Sequence, residues 1–173
     1  MTAYQVAYQT AAQVVDPELR VVTIAELGIL RAVETDGDRA VVTITPTYSG
    51  CPAMDVIRGE VAAALRREGW ADVEVVTTLH PAWTTDWISE SGRAKLAAAG
   101  IAPPGPARQV PLGMPGRPGS WAPSPVGAPP QAPGCPRCGQ RRTEEVSRFG
   151  STPCKSLWRC QRCGEPFEHL KAF

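Results

Sequence analysis

The chain has 173 residues, 43% of them hydrophobic, and a formal net charge of +1. This length allows one ordinary domain and a small second one, and the near-neutral charge excludes a strongly polyionic protein. The charge is uneven, because residues 1–100 carry 8 Lys/Arg and 13 Asp/Glu, whereas residues 134–173 carry 8 and 4. The two ends of the chain therefore differ in the partners that they would attract.

Neither a secretion signal nor a membrane segment is predicted. Residues 1–15 lack a basic start and are interrupted by three glutamines, and no run of 18 apolar residues occurs. Six cysteines in such a chain favour metal binding or thiol chemistry over disulfides. We therefore expect a cytoplasmic protein without membrane association.

The first hundred residues predict a small α+β domain. In chain order, the pattern predicts a helix over 3–15, strands over 29–33 and 40–45, a helix over 52–68, a strand over 73–79 and a helix over 85–99. Asp-Gly at 36–37 is typical of a hairpin turn between the first two strands. This order describes a compact α/β sandwich over residues 1–101.

Composition changes abruptly after residue 101. Residues 102–134 contain 11 Pro and 6 Gly among 33 residues, which predicts an extended or disordered linker. The final segment, residues 135–173, is too short to fold securely on apolar burial alone. We therefore expect a metal ion to stabilise it.

That final segment contains two matched cysteine pairs, Cys135-Pro-Arg-Cys138 and Cys160-Gln-Arg-Cys163, each followed by glycine. Two intervening residues let both sulfurs of a pair reach one ion, and four thiolates complete a tetrahedron with no open position. The spacing predicts a structural zinc site in a ribbon, although iron bound as in rubredoxin would use the same sulfurs. A redox pair is the weaker interpretation. The surrounding arginines are interpreted as offsetting the charge of the metal centre, with nucleic-acid binding as the less favoured alternative.

Cys51 and Cys154 are not needed for that tetrahedron. Cys51 precedes the helix predicted from Pro52, where unpaired N–H groups and the helix dipole would stabilise a thiolate. Position alone therefore favours two interpretations of Cys51 equally. It is a reactive or metal-ligating thiol, or it is a small buried hydrophobic residue. Cys154 precedes Lys155, which would lower its pKa, but position alone favours a packed side chain.

Asp16 and Glu18 flank Pro17, and their first interpretation is turn formation at the end of the predicted helix. If the fold brings this turn close to Cys51, the two carboxylates could accept hydrogen bonds or bind a metal. No catalytic constellation is found, because nucleotide-binding glycine motifs are absent and the only two histidines lie in different predicted domains. An enzyme is therefore the weaker hypothesis.

Several motifs together resemble the iron–sulfur assembly family that includes SufT and the eukaryotic cytosolic iron–sulfur targeting components. They are Asp16-Pro17-Glu18-Leu19, Glu26-Leu27-Gly28 and Thr47-Tyr48-Ser49-Gly50-Cys51-Pro52. Longer stretches in both predicted domains resemble the PaaD branch of that family, namely residues 80–88, 149–155 and 163–167. The linker over 102–134 is longer than this resemblance leads us to expect.

The resemblance implies an accessory protein without catalysis of its own. It would assist iron–sulfur cluster assembly or insertion for the ring-epoxidising phenylacetyl-CoA monooxygenase of aerobic phenylacetate degradation. Its client would be the reductase component, in contact with the other subunits. A scaffolding subunit and a nucleic-acid-binding ribbon are the alternatives.

The resemblance also implies roles for particular residues. Cys51 would be a functional thiol or a transient ligand of iron or of a cluster, and Asp16 and Glu18 would support it. Cys154 would take part in metal transfer or in the integrity of the ribbon. The cofactors implied are structural zinc and transient iron or an iron–sulfur cluster.

Overall fold

The structure is a computed structural model that describes residues 1–105 and 132–172, so most of the predicted linker lies outside the described residues. Its elements in chain order are α1 Ala3–Ala12, β1 Leu30–Asp36, β2 Arg39–Ile44, α2 Ala53–Arg67, β3 Asp72–Thr77, α3 Glu90–Ala98, β4 Ile101–Ala102, β5 Thr143–Ser147, β6 Lys155–Cys160 and β7 Pro166–Leu170. The predicted α+β domain and C-terminal ribbon are confirmed. Within the described ranges, no helix combines the length and apolar character needed to cross a membrane.

The N-terminal sheet has the order β1-β2-β3. Strands β1 and β2 pair antiparallel, and the pairing of Asp36 with Arg39 leaves a two-residue turn in which Gly37 has a φ of +58°. Glycine suits this turn because a left-handed conformation costs it little. Strand β3 runs parallel to β2, so the chain must cross over between them, and α2 provides that connection.

Two predicted helices are shorter in the structure. Helix α1 ends at Ala12 because the next residues fold back on themselves: the N–H of Ile24 donates to the carbonyl of Val14 over 2.9 Å. The last helix of the domain begins at Glu90 instead of residue 85. Residues 85–87 form a short 3₁₀ turn, and the Ser89 hydroxyl then caps α3 by accepting the N–H of Gly92.

The four-stranded C-terminal sheet has the order β4-β7-β6-β5 and includes one strand, β4, from the first described range, residues 1–105. Strand β4 directly follows α3 and pairs parallel with β7, with Ile101 opposite Glu168 and Ala102 opposite His169. The ribbon is therefore attached to the α+β domain through backbone hydrogen bonds. The predicted domain boundaries stay a prediction.

The main hydrophobic core joins the two parts of the molecule. Helix α2 buries Ile57, Val61 and Leu65 in it. Cys154 and Leu170, both from the ribbon, belong to the same buried cluster. A smaller cluster around the cysteine pairs consists of Ala102, Cys135, Cys160 and Phe167. Because the ribbon shares a core with the α+β domain, its loops are held at a defined place on that domain.

Candidate metal centre and thiol site

The four paired cysteines converge at one point of the ribbon. The sulfur atoms of Cys135, Cys138, Cys160 and Cys163 all lie within 4.8 Å of one another. Cys135 Sγ is 3.8 Å from Cys163 Sγ, and Cys138 Sγ is 3.6 Å from Cys160 Sγ. A regular tetrahedron with metal–sulfur bonds of about 2.3 Å has sulfur–sulfur edges of about 3.8 Å. The donor set thus fits one tetrahedral ion.

Tight turns in the backbone position these sulfurs. The N–H of Gly139 donates to the carbonyl of Cys135 over 2.8 Å, and the N–H of Gly164 donates to that of Cys160 over 2.9 Å. Both glycines have positive φ angles, of 71° and 75°. The two pairs therefore have the same local geometry, which explains why their sequence patterns match.

The backbone also favours the ligating form of one thiol. The N–H groups of Cys163 and Arg162 point at Cys160 and lower its pKa to about 6. Cys160 is fully buried, so this stabilisation of the thiolate comes from the protein and not from solvent. In the same turn, burial and the neighbouring sulfurs raise the pKa of Cys163 to about 11.

Cys51 lies just before α2, in the loop that follows β2. Its N–H donates to the carbonyl of Tyr48 over 3.2 Å, and Pro52 occupies the N-cap position of the helix. The Cys51 side chain is half-buried and packs against the main core. It can therefore be approached from outside on one side only.

The predicted stabilisation of a Cys51 thiolate by the helix start is wrong in its net sign. Burial raises the pKa of Cys51, and the negative charges of Glu18 and Asp16 raise it further. The N–H groups of Ala53 and Met54 do lower the pKa, as expected at a helix start, but they are outweighed. The net effect of its surroundings is therefore to disfavour the Cys51 thiolate.

The structure brings Cys154 of the ribbon to the acidic turn at residues 16–18. Cys154 Sγ lies 3.4 Å from Glu18 Oε2, across 136 residues of sequence. The Thr152 hydroxyl is 3.0 Å from the same sulfur. Cys154 is only 5% exposed, and Glu18 beside it is half-buried.

Lys155 lowers the pKa of Cys154 as expected, but the packing of the side chain, which its position also favoured, decides the net effect. Burial raises the pKa of Cys154 to about 11, and the Glu18 carboxylate acts in the same direction. The Thr152 hydroxyl and the Lys155 ammonium lower it, but by less. Lys155 is itself buried and forms an ion pair with Glu168, with 2.8 Å between Nζ and Oε2.

Asp16 shapes the turn that carries Glu18. Its Oδ1 accepts hydrogen bonds from the N–H groups of Glu18, over 2.9 Å, and Leu19, over 2.8 Å. The carboxyl is buried, and this burial raises its pKa. Asp16 therefore fixes the backbone of the turn from which the Glu18 side chain reaches Cys154.

Tyr48 is a member of this group that sequence reasoning did not single out. The pKa of its phenol is raised by burial and then by Cys51, Glu18 and Cys154, which all act on the same ring. The signal available in the sequence was its place three residues before Cys51. We call Cys51, Cys154 and Glu18 the thiol site, with Tyr48 beside it and Asp16 behind it.

The thiol site and the ribbon cysteines differ in how tightly their donor atoms are gathered. In the described part of the chain, the ribbon cysteines are the only group of three or more such residues whose ligand atoms all lie within 4.8 Å of one another. The sulfur and carboxylate atoms of the thiol site are thus not gathered around one point as those of the ribbon are. An open site can exchange a ligand, whereas a site with four fixed thiolates holds its ion.

Comparison with known proteins adds matches over both parts of the chain. Residues 9–77 match the family described as iron–sulfur cluster assembly protein, and residues 122–171 match the PaaD zinc beta ribbon domain. A crystal structure of a domain of unknown function, DUF59, from Bacillus anthracis has a TM-score of 0.50 and 30% identity, and the match covers 54% of this chain and 90% of that one. These matches agree with the observed order of the two folds.

Two further bacterial proteins are similar in sequence. The "Fe-S protein maturation auxiliary factor YitW" of Bacillus subtilis is 40% identical over 86 residues, which is 49% of this chain and 83% of that one. A subunit of the "Putative 1,2-phenylacetyl-CoA epoxidase" of Escherichia coli K12 is 41% identical over 160 residues, which is 92% of this chain and 87% of that one. With such identity over nearly its whole length, the chain belongs to the PaaD family and joins an iron–sulfur cluster assembly domain to a PaaD zinc ribbon.

Proposed function

We propose that this protein is a non-catalytic accessory protein that assists the assembly or insertion of an iron–sulfur centre in a phenylacetyl-CoA epoxidase system. The names of the two similar proteins support an epoxidase system and a role in iron–sulfur maturation. One observation carries the proposal: two cysteines outside the ribbon quartet, Cys51 and Cys154, lie at one acidic site although they are far apart in sequence.

The ribbon quartet is assigned to zinc. Four thiolates at tetrahedral separations suit this ion and leave no position for a substrate. The ion supplies structure here, because it closes the turns at Cys135 and Cys160 that the short ribbon cannot hold by apolar burial alone. It takes no part in transfer.

The thiol site has the properties required for transfer. Cys51 is half-buried, so a partner can reach it, while Asp16 keeps the acidic turn in place. The pKa of both thiols is raised, so their protons are held more tightly than usual and must be released when a cation binds, which weakens the binding. Weak binding at an open site allows an ion or cluster to pass to a client.

We infer that the client is the iron–sulfur reductase component. The test is to co-express the epoxidase components with the native protein, with Cys51→Ser, or with Ser49→Ala, which changes a residue of the same loop. Iron and sulfide are then measured in the purified reductase. We expect Cys51→Ser to lower both several-fold while the accessory protein keeps its zinc, and Ser49→Ala to change neither.

Reductase occupancy that does not depend on Cys51 would contradict a maturation role. Stable co-purification with the epoxidase subunits under those conditions would instead indicate a scaffolding subunit. That alternative is separable because a scaffold needs the protein surface but no thiol.

A further inference from the structure

We propose that a small cavity between the end of β2 and residues 79–83 binds a neutral group about the size of one phenol ring. One hydrogen-bonding atom of that group would meet the hydroxyl of Thr45. The cavity adjoins the loop that leads to Cys51, but that cysteine does not line it. This inference goes beyond the maturation role above and does not rest on it.

The cavity has a buried floor and an exposed rim. Thr45, Pro46 and Trp83 are buried and form the floor. Leu79, which is 62% exposed, and Ala82 belong to the rim. A ligand can therefore reach the floor from solvent without any movement of the core.

The hydroxyl of Thr45 is an unsatisfied polar group at this floor. Thr45 is 1% exposed, and its Oγ1 has no hydrogen-bond partner among the described residues. A buried hydroxyl without a partner is unfavourable, because it has lost its hydrogen bonds to water. A ligand that brings a donor or an acceptor to Thr45 would remove this cost.

The volume of the cavity limits the kind of ligand. It is about 240 Å³, whereas one water molecule occupies about 30 Å³ in the liquid and drug-sized ligands occupy pockets of about 300–1,000 Å³. A single water molecule would leave most of the cavity empty, and a nucleotide would not fit. A ligand with one ring lies between these limits.

The chemistry of the walls favours an uncharged ligand. The cavity surface is mostly apolar, and none of the described residues that line it is charged. A charged group would lose its hydration there without gaining an ion pair. The Trp83 indole N–H already donates to the carbonyl of Leu27 over 2.8 Å, so Thr45 is the floor residue with a polar side-chain group still to be satisfied.

An NMR titration of the full-length, zinc-loaded protein tests the proposal, with the Trp83 indole N–H resonance as the reporter. The probes are p-cresol and toluene, which differ by one hydroxyl. We expect p-cresol to bind several-fold more tightly than toluene, and Thr45→Val to make the two affinities equal. Thr43→Val changes a residue of the same strand outside the cavity and should bind both probes as the native protein does.

Two further measurements separate binding from folding. Thr45→Val should leave the urea midpoint unchanged or raise it, since it removes an unsatisfied hydroxyl at nearly constant volume. Ala82→Leu, at the rim, should abolish binding of p-cresol, whereas Ala71→Leu, at an exposed position outside the cavity, should not. If neither probe shifts the Trp83 resonance, or if folded Thr45→Val still prefers p-cresol to toluene, the proposal is overturned.

A free small molecule and the tyrosine side chain of a partner protein share this chemistry. N-acetyltyrosinamide distinguishes them, because it carries the same ring on a peptide backbone. Binding at least as tight as that of p-cresol indicates a partner's tyrosine, and clearly weaker binding indicates a free molecule. These measurements use neither Cys51 nor the reductase, so the cavity site and the maturation role can fail separately.

Discussion

The ribbon quartet and the thiol site use the same side chain in opposite ways. In the quartet, four sulfurs are gathered within 4.8 Å; backbone N–H groups lower the pKa of Cys160, whereas burial and the neighbouring sulfurs raise that of Cys163 to about 11. In the thiol site, burial and nearby carboxylates raise the pKa of Cys51 and Cys154. The surroundings of a cysteine, more than its presence, thus separate four sulfurs gathered around one point from two thiols whose surroundings disfavour the thiolate.

Removal of the ribbon metal should have the largest effect. Cys160→Ser removes the fully buried ligand, so we expect zinc content to fall from one ion per chain to nearly none and the ribbon sheet to unfold. The metal contributes on the order of 10 kcal/mol to folding in small zinc domains. Metal analysis and circular dichroism measure both changes. Cys154→Ser is the control, and a loss of zinc in that variant would contradict the separation of the two sites.

Leu170→Ala should test whether the ribbon and the α+β domain depend on one shared hydrophobic core. Leu170 is a ribbon residue buried with the α+β domain, and a buried Leu→Ala change costs about 2–5 kcal/mol. We expect a single urea transition at a lower midpoint, because the cavity weakens both parts at once. Phe167→Ala, in the smaller cluster around the cysteines, serves as the comparison. Two transitions, with the α+β domain unaffected by Leu170→Ala, would mean that the parts fold independently.

The pH dependence of alkylation should distinguish the two free thiols. Only the thiolate reacts, so below the pKa the rate rises about tenfold per pH unit. Since the pKa of Cys154 is about 11 and the residue is 5% exposed, it should react far more slowly than Cys51 in the zinc-loaded protein. Mass spectrometry after timed exposure to iodoacetamide, from pH 7 to 9, measures both rates. A fast, pH-independent reaction of Cys51 would show that its thiolate already forms at neutral pH.

Glu18→Gln should change the alkylation rates of Cys51 and Cys154 by a smaller factor. Removal of a negative charge that raises both pKa values favours the thiolates, so alkylation of Cys51 should become a few-fold faster. The exposed variant Glu60→Gln should react at the native rate. Slower alkylation in Glu18→Gln would contradict the electrostatic description of the thiol site.

Thr152→Val should have the smallest effect, on the alkylation rate of Cys154 alone. The Thr152 hydroxyl lies 3.0 Å from Cys154 and lowers its pKa, so its loss should raise that pKa and slow alkylation of Cys154 slightly. Thr152→Ser keeps the hydroxyl and should restore the native rate. An equal slowing in both variants would mean that packing, and not the hydrogen bond, is responsible.

Much of the fold could be predicted because its signals are local. The hairpin at Gly37 follows from an Asp-Gly pair between two strands, and the ribbon site follows from two matched cysteine spacings. The helix predicted over 85–99 starts later because Ser89 caps α3, while residues 85–87 are held in a separate turn. The sequence is compatible with a helix start at either position. Competing local hydrogen bonds decide between them.

The order of amino acids alone specified the four side chains that can hold a metal in the ribbon, through the spacing of the two cysteine pairs. The meeting of Cys154 with Glu18 across 136 residues depends on the folded chain, because only packing of the ribbon into the main core can bring them together. The charge state of Cys51 depends on the fold as well. The helix start acts as its sequence position predicts, but burial and two carboxylates from a distant turn outweigh it, and neither can be seen without the fold.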